Sequence, residues 1–257
     1  MADDDIPVAA PTMERKHSDL GTRLVSALVM VSVAWIALWL GGWFWIAFVV
    51  LLAGMVLWEW NNLIALTSAS PFGQILWQFF GAIYVGGASY AMVLVRNGPQ
   101  AIPVDGRTYG FTDFETIIGF ILPIVAVDVG AYFAGRAIGG PKIAPSISPS
   151  KTWAGFFGGA IAASIVTVSI ELLDLGPAAA LPGYSAFSIF GAVVAGFVIA
   201  ILAQGGDFFE SWLKRRAGVK DSSSLIPGHG GFFDRLDGFL AVFFVVFLAT
   251  LAPGLIG

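Results

Sequence analysis

Residues 205–237 hold most of the groups in this chain that could do chemistry. The stretch reads GGDFFESWLKRRAGVKDSSSLIPGHGGFFDRLD and contains five carboxylates, five basic residues and one histidine. Asp207 and Glu210 are three residues apart, as are Asp234 and Asp237, so each pair shares a face where the chain is helical. Hard oxygen ligands at this density suit Mg²⁺, which binds few carboxylates and keeps positions for substrate phosphates. Helix caps and solvated acids are the alternative interpretation of these carboxylates.

The basic residues of this stretch are interleaved with the acids. Arginine presents a fork that matches phosphate oxygens, and lysine supplies a point charge. A plain anchor to anionic lipid is the alternative for such a cluster. The interleaving favours bound metal and phosphate over the anchor, and the candidates are Lys214, Arg215, Arg216 and Lys220.

Residues 222–231, SSSLIPGHGG, are predicted not to form a helix because three serines, a proline and three glycines surround His229. Glycines let the backbone approach a ligand closely and offer N–H groups to an anion. A simple flexible loop is the alternative. His229 is a candidate metal ligand, general acid or phosphate donor, and the sequence does not choose among these roles.

A second polar segment, residues 139–155, reads GGPKIAPSISPSKTWAG. We expect Ser150 to cap the helix that follows, with Lys151 and Thr152 in its first turn. A helix start that combines a lysine with hydroxyls is a ready phosphate site, and ordinary capping is the alternative.

Two further acids lie within apolar stretches. Asp128, in IVAVDVGAYFAGR, is a functional candidate because an ionisable residue inside a membrane segment is costly. It either joins the metal site or pairs with Arg136 or a lysine. Glu59, at the inner end of the second apolar stretch, is expected to lie at the membrane–water interface.

The elements that carry these residues are predicted to be membrane helices. The 257-residue chain is 57% hydrophobic and 12% charged, with a net charge of −4, whereas soluble domains carry roughly 25% charged residues. This composition excludes an ordinary cytosolic enzyme, a disordered chain and a nucleic-acid binder. Cysteine is absent, which excludes disulfides, thiolate metal sites and cysteine nucleophiles.

We predict an all-α polytopic integral membrane protein with about seven transmembrane helices, within a range of six to nine, and a cytosolic N-terminus. Residues 24–58 are free of charge and too long for one pass, so we split them at Gly41-Gly42, where tryptophans flank the glycines. The predicted spans are 22–40, 43–60, 75–95, 116–135, 153–173, 187–204 and 238–256. The Pro/Ala-rich outer loop and the other outer loops are expected to be connectors.

The distribution of basic residues supports this topology. With the N-terminus inside, 11 of the 13 lysines and arginines face the cytosol, and only Arg96 and Arg107 lie outside. We expect residues 1–19 to form a cytosolic tail and residues 20–257 a single transmembrane catalytic domain. Its N-terminal helices would occupy residues 22–110, and the catalytic helices and cytosolic loops residues 116–257.

Residues 211–237 resemble the signature of the phosphatidate cytidylyltransferases, or CDP-diacylglycerol synthases. The resemblance extends upstream to Gly206-Asp207, to residues 148–153 and to Asp128 ahead of Gly135-Arg136. The matching signature positions are Ser211, Lys214, Arg215, Lys220, Asp221, Pro227, His229, Gly230, Gly231, Asp234, Arg235 and Asp237.

This resemblance implies transfer of the cytidylyl group of CTP to phosphatidate, giving CDP-diacylglycerol and pyrophosphate in phospholipid biosynthesis. It implies Mg²⁺ as cofactor, with room for a second cation. The expected partners are CTP, phosphatidate and membrane lipids, with no nucleic acid and with allowance for a homodimer. The expected location is the bacterial cytoplasmic (inner) membrane, with the active site facing the cytosol.

The same resemblance assigns roles to individual residues. Asp207, Asp234, Lys214 and Asp237 are the expected catalytic set, and Asp207, Asp234, Asp128 and Asp237 are the expected metal ligands. The expected substrate-binding residues are Lys151, Ser148, Lys214, Arg215, Lys220, Asp221, Ser223, His229, Gly230, Gly231 and Arg235.

Two alternative functions fit the sequence less well. A CDP-alcohol phosphotransferase would need an Ala-Arg on the helix that follows an Asp-Gly, and none follows Asp237-Gly238 at that spacing. An ion-coupled or proton-coupled transporter would use Asp128 as the coupling residue. Such a transporter should place ionisable groups near the midplane of several spans, whereas Asp128 alone is clearly inside one.

Overall fold

The computed structural model describes residues 14–67, 69–98, 102–104, 107–109, 113–173 and 186–251. Within these ranges the chain forms seven α-helices and one short antiparallel hairpin. The helices are α1 (Glu14–Leu40), α2 (Gly42–Leu66), α3 (Pro71–Asn97), α4 (Asp113–Ala137), α5 (Trp153–Leu172), α6 (Ala186–Arg216) and α7 (Phe233–Thr250). The hairpin joins β1 (Ile102–Val104) to β2 (Arg107–Tyr109), with Ile102 opposite Tyr109.

The prediction of an all-α polytopic membrane protein is confirmed. Six of the described helices, α1 to α6, are long and apolar enough to cross a membrane. The seventh, α7, opens with Asp234, Arg235 and Asp237 before its apolar part. The hairpin between α3 and α4 was not predicted, because that connection was interpreted as a plain loop.

Several helices extend further than predicted. α1 begins at Glu14, inside the predicted tail, of which residues 1–13 lie outside the described part of the chain. α6 continues to Arg216, twelve residues beyond the predicted end of its span, and α7 begins five residues before the predicted start. Charged residues can extend a membrane helix beyond its apolar part, so hydropathy alone ends α6 too early and begins α7 too late.

The predicted break between the first two helices is confirmed at Gly41 and Gly42, which have φ angles of 60° and 49°. Neighbouring polar side chains hold this turn. Arg96 Nε donates to the Leu38 carbonyl at 3.0 Å, and Asn97 binds both the N–H and the carbonyl of Gly42 at 3.1 Å. Arg96, one of two basic residues predicted to lie outside, therefore helps to cap the end of α1.

The helix bundle packs through small residues. α4 lies against α5, α5 against α6, α3 against α7 and α6 against α7, while α1 packs mainly against α2. At the α4–α5 contact, a Cβ on Gly158 would overlap the Cβ of Ala134. At the α6–α7 contact, a Cβ on Gly206 would overlap the Asp237 carbonyl oxygen. Such glycines let helix backbones approach closely.

Candidate active site

Three carboxylates from two helices meet where α6 and α7 pack closely. Asp207 and Glu210 lie one turn apart on α6, and Asp237 lies on α7. Each offers a carboxylate oxygen, and these oxygens all lie within 4.8 Å of one another. Glu210 is buried, and the other two are partly exposed. We call Asp207, Glu210 and Asp237 the acidic cluster; its all-oxygen donor set fits a hard divalent cation.

Two lysines approach this cluster from different elements. Lys151, just before α5, forms an ion pair with Asp207 and lies 4.3 Å above the centre of the Phe208 ring. Lys214, one turn beyond Glu210 on α6, places Nζ 2.7 Å from Glu210 Oε1. Both lysine side chains are largely shielded from solvent, with 18% and 11% of their surface exposed. Positive charge therefore lies directly beside the grouped acids.

Asp234, in the first turn of α7, points towards Lys214 and the preceding loop. Its Oδ1 lies 2.5 Å from Lys214 Nζ. Its Oδ2 accepts hydrogen bonds from the Ser222 N–H at 2.9 Å, the Ser222 hydroxyl at 2.8 Å and the Gly231 N–H at 2.8 Å.

Burial tends to raise the pKa of the Asp234 carboxyl, which lies ahead of the apolar part of α7. Its hydrogen bonds with Glu210, Lys214 and the loop outweigh that effect and hold this pKa well below its usual range. The carboxylate form is therefore strongly favoured.

Residues 222–231 form a non-helical loop, as predicted. The Ile226 N–H donates to the Gly230 carbonyl at 2.8 Å, and the His229 N–H donates to the Ile226 carbonyl at 2.9 Å. Gly228 and Gly230 have φ angles of 76° and 84°, a region that favours glycine. The loop is therefore tightly turned and internally hydrogen-bonded.

Glu59, near the end of α2, is fully buried under this loop. The carboxylate accepts a hydrogen bond from the Ser223 hydroxyl at 2.6 Å and lies 3.0 Å from the Ser222 hydroxyl, which it shares with Asp234. It also accepts from the backbone N–H groups of Phe232 at 2.9 Å and Phe233 at 2.7 Å. The expectation that Glu59 lies at the membrane–water interface stays a prediction; its burial beneath a loop more than 160 positions away was not predicted.

His229 and Arg235 link the loop to itself and to α1. His229 Nδ1 lies 2.9 Å from Ser26 Oγ, and the Ser26 hydroxyl is also within 3.1 Å of the Pro227 carbonyl oxygen. Arg235 donates from Nη2 to the His229 carbonyl at 2.7 Å. The first membrane helix thus contacts the loop through His229.

The remaining predicted substrate-binding residues lie around the same end of the bundle. Arg215 donates to the Ile147 carbonyl at 3.3 Å and to the Val219 carbonyl at 3.2 Å, which joins the two polar segments. Ser148, next to Ile147, is buried, whereas Lys220 and Asp221 are exposed.

The N-cap of α5 differs from the prediction. Thr152, not Ser150, occupies this position, and its Oγ1 accepts a hydrogen bond from the Gly155 N–H at 3.1 Å. Thr152 also pairs with Lys142 in an isolated antiparallel bridge. This pairing keeps the backbone extended through residue 152, so the helix begins only at Trp153. Lys151 consequently precedes the helix instead of lying in its first turn.

Asp128, on α4, lies near enough to Asp207 and Lys151 to interact with their charges. Of its predicted alternatives, an ion pair with Arg136 is absent among the described residues, and Arg136 Nη1 donates to the Tyr132 hydroxyl at 2.8 Å. The structure therefore brings Asp128 towards the acidic cluster from a third helix.

An apolar cavity of about 520 Å³ opens between α1 and the loop. Its apolar lining is Val25, Val29 and Met30 from α1 and Leu225, Ile226 and Phe232 from the loop side. We call it the α1 groove. It adjoins the segment that carries Pro227 and His229.

The sequence of this chain is similar to those of known proteins. A model of the cytidylyltransferase family matches residues 87–252. The chain is 33% identical over 262 residues to the phosphatidate cytidylyltransferase of Brucella melitensis, covering 90% of this chain and 93% of the relative. It is 30% identical over 278 residues to that of Pseudomonas aeruginosa, covering 90% and 97%. It is 35% identical over 181 residues to that of Bacillus subtilis, covering 70% and 60%. The resemblance seen in residues 211–237 is thereby confirmed.

Proposed function

The chain belongs to the cytidylyltransferase family, and from this we infer that it transfers the cytidylyl group of CTP to phosphatidate. It is a nucleotidyltransferase. A phosphate oxygen of phosphatidate forms a bond to the α-phosphorus of CTP as the bond from that phosphorus to the β-phosphate oxygen breaks. The products are CDP-diacylglycerol and pyrophosphate. One observation carries the proposal: the acidic cluster and two lysines lie beside a glycine-rich loop.

The chemistry explains why cations matter more than a general base. The phosphate of phosphatidate is already an anion at neutral pH, so its attack needs no strong base. The difficulty is to bring two anions together and to stabilise the charge that builds up on the leaving pyrophosphate. Lys151 and Lys214 place positive charge at the cluster, and both are held there by ion pairs.

We propose that Asp207, Glu210 and Asp237 hold Mg²⁺, with Asp128 as a supporting acid from α4. The bound ion would neutralise phosphate charge and leave positions for phosphate oxygens. Asp234 uses both of its oxygens on Lys214 and the loop, so we propose that it orients Lys214. The direct metal role that the sequence assigned to Asp234 stays a prediction.

The loop and its neighbours form the proposed nucleotide site. In the turned backbone of residues 228–231, the N–H groups of His229 and Gly231 already donate to Ile226 and Asp234, so Gly228 and Gly230 would supply the N–H groups for phosphate oxygens. Arg215, near the end of α6, donates to the carbonyl of Ile147, next to Ser148 on the second polar segment. The proposed substrate contacts are Lys151, Ser148, Arg215, Lys220, Asp221, Ser223, His229, Gly230, Gly231 and Arg235.

The α1 groove supports a lipid substrate. Its apolar walls suit an acyl chain, and it meets the loop where the nucleotide site is proposed. The basic residues cluster at this end of the bundle, which favours a cytosolic face for the site by the positive-inside rule. The bacterial relatives fit a location in the cytoplasmic membrane.

The test is turnover of the purified full-length protein in mixed micelles containing phosphatidate, Mg²⁺ and CTP labelled at the α-phosphate. Label should enter the lipid phase. Asp207→Asn and Asp237→Asn should each lower kcat by roughly 100-fold or more, because each removes a carboxylate proposed to hold the Mg²⁺ that neutralises phosphate charge. Glu171→Gln, at the far end of α5, is the matched control and should retain activity. Near-wild-type turnover in both aspartate variants would contradict the metal assignment.

A further inference from the structure

Glu59, on α2, is fully buried and lies within hydrogen-bond distance of four donors in residues 222–233, one of which, the Ser222 hydroxyl, it shares with Asp234. We propose that Glu59 is a positioning residue for the acidic cluster. It acts through the loop and through the start of α7, without contacting substrate. The inference rests on the proposed function, because it concerns the same metal site.

The first step is the N-terminus of α7. Its N-cap residue, Phe232, makes no side-chain capping bond. Glu59 supplies this cap from another helix, by accepting from the N–H groups of Phe232 and Phe233. A carboxylate at a helix N-terminus both satisfies these donors and complements the helix dipole. Glu59 therefore fixes where α7 begins, and with it the placement of Asp234 and Asp237.

The second step is the seating of the loop. Ser222 Oγ lies within hydrogen-bond distance of both Glu59 and Asp234, so one hydroxyl links the two carboxylates. Gly231 fits between them only because it lacks a side chain. A Cβ there would overlap Ser222 Oγ and lie 2.5 Å from Glu59 Oε1. The loop therefore packs directly on the buried carboxylate.

The third step connects Glu59 to the cluster. Asp234 is held by Ser222 on one oxygen and contacts Lys214 on the other. Lys214 in turn pairs with Glu210, which belongs to the acidic cluster. Groups that orient metal ligands in this way typically change metal affinity or activity by about 10–100-fold when they are lost.

The test is metal affinity measured without substrate. Mn²⁺, which binds similar oxygen sites and has an EPR signal, is titrated into full-length protein in detergent. Glu59→Gln keeps the shape but turns one acceptor oxygen into a donor that faces other donors. We expect Mn²⁺ to bind the folded variant about 10-fold more weakly than wild type. Glu171→Gln should bind Mn²⁺ as wild type does.

A second variant keeps the inference testable if Glu59→Gln does not fold. Ser223→Ala removes a hydroxyl that donates to Glu59 and whose other described partner is the Leu225 N–H. It should weaken Mn²⁺ binding severalfold. A merely structural role for Glu59 would lower the melting temperature and leave the Mn²⁺ Kd of the folded protein unchanged. That result in either variant overturns the inference.

The outcomes separate the inference from the proposed function. If wild type binds Mn²⁺ but forms no lipid product, the function fails, and the effect of Glu59→Gln on the Mn²⁺ Kd still decides the inference. If wild type turns over and Glu59→Gln matches it in Mn²⁺ Kd, the inference alone fails. If wild type binds no Mn²⁺, both the metal assignment and the inference fail.

Discussion

Lys214 Nζ lies 2.5 Å from Asp234 Oδ1, although the two residues are 20 positions apart and belong to different helices. This contact ties the end of α6 to the start of α7 across the whole intervening loop. The same ammonium pairs with Glu210, so one lysine sits between two acids. The buried lysine therefore serves both the packing of the two helices and the electrostatics of the site.

Lys214→Met should be both inactive and less stable. Its removal leaves Glu210 and Asp234 facing each other without a cation, and breaking such a buried pair costs about 3–5 kcal/mol. We expect a clear fall in the melting temperature and a loss of turnover of roughly 100-fold or more. Both are measured on detergent-purified protein.

Lys142→Met is the matched control for this prediction. Lys142 is an exposed lysine that donates to the Ser150 carbonyl at 3.3 Å. Its loss should change neither the melting temperature nor turnover by much. If Lys214→Met were as stable and as active as Lys142→Met, the contacts of Lys214 with Glu210 and Asp234 would contribute neither to stability nor to turnover.

Gly205 and Gly206 form a matched pair of neighbours on α6. A Cβ on Gly206 would overlap the Asp237 carbonyl oxygen and lie 2.7 Å from the Ala241 Cβ, whereas a Cβ on Gly205 has nothing within 4 Å. Gly206→Ala should therefore push α7 away and reduce both stability and turnover. Gly205→Ala should be tolerated, and alanine in a helix interior gains roughly 0.5–1 kcal/mol over glycine.

Thermal melts and turnover of the two glycine variants, measured side by side, decide this prediction. The informative quantities are the differences in melting temperature and in turnover between the two variants, because both changes add one methyl group at adjacent positions. Equal behaviour of Gly205→Ala and Gly206→Ala would mean that α6 and α7 do not approach as closely as the structure indicates.

Much of the fold follows from local sequence properties. Long uncharged stretches predict helices, and the positive φ angles of Gly41 and Gly42 bear out the split of residues 24–58. The boundaries of α6 and α7 were misplaced because charged residues such as Glu210 and Lys214 stabilise each other within a helix, which hydropathy does not register. The pairing of Lys142 with Thr152, which makes Thr152 and not Ser150 the N-cap of α5, likewise cannot be predicted from local composition.

The sequence predicted which residues form the site, but not which of them contact one another. Residue spacing placed Asp207 and Glu210 on one face, and the structure confirms that they are neighbours. The same spacing put Asp234 and Asp237 together, yet they face different partners because the loop supplies donors to Asp234 alone. Glu59 was missed because its partners are distant in sequence. The feature of the sequence that could have indicated its role is that Glu59 is a lone carboxylate near the end of an otherwise uncharged helix.

The last prediction concerns the α1 groove. Val29 lines this groove, whereas Val31, two residues on, points to a different side of α1. Both side chains are more than half exposed, at 56% and 67%, so a tryptophan fits sterically at either position. Val29→Trp should fill part of the groove and raise the KM for phosphatidate severalfold while leaving the KM for CTP unchanged. Val31→Trp should alter neither constant. Initial rates with each substrate varied in turn provide the measurement, and an unchanged KM for phosphatidate in Val29→Trp would place the acyl chain elsewhere.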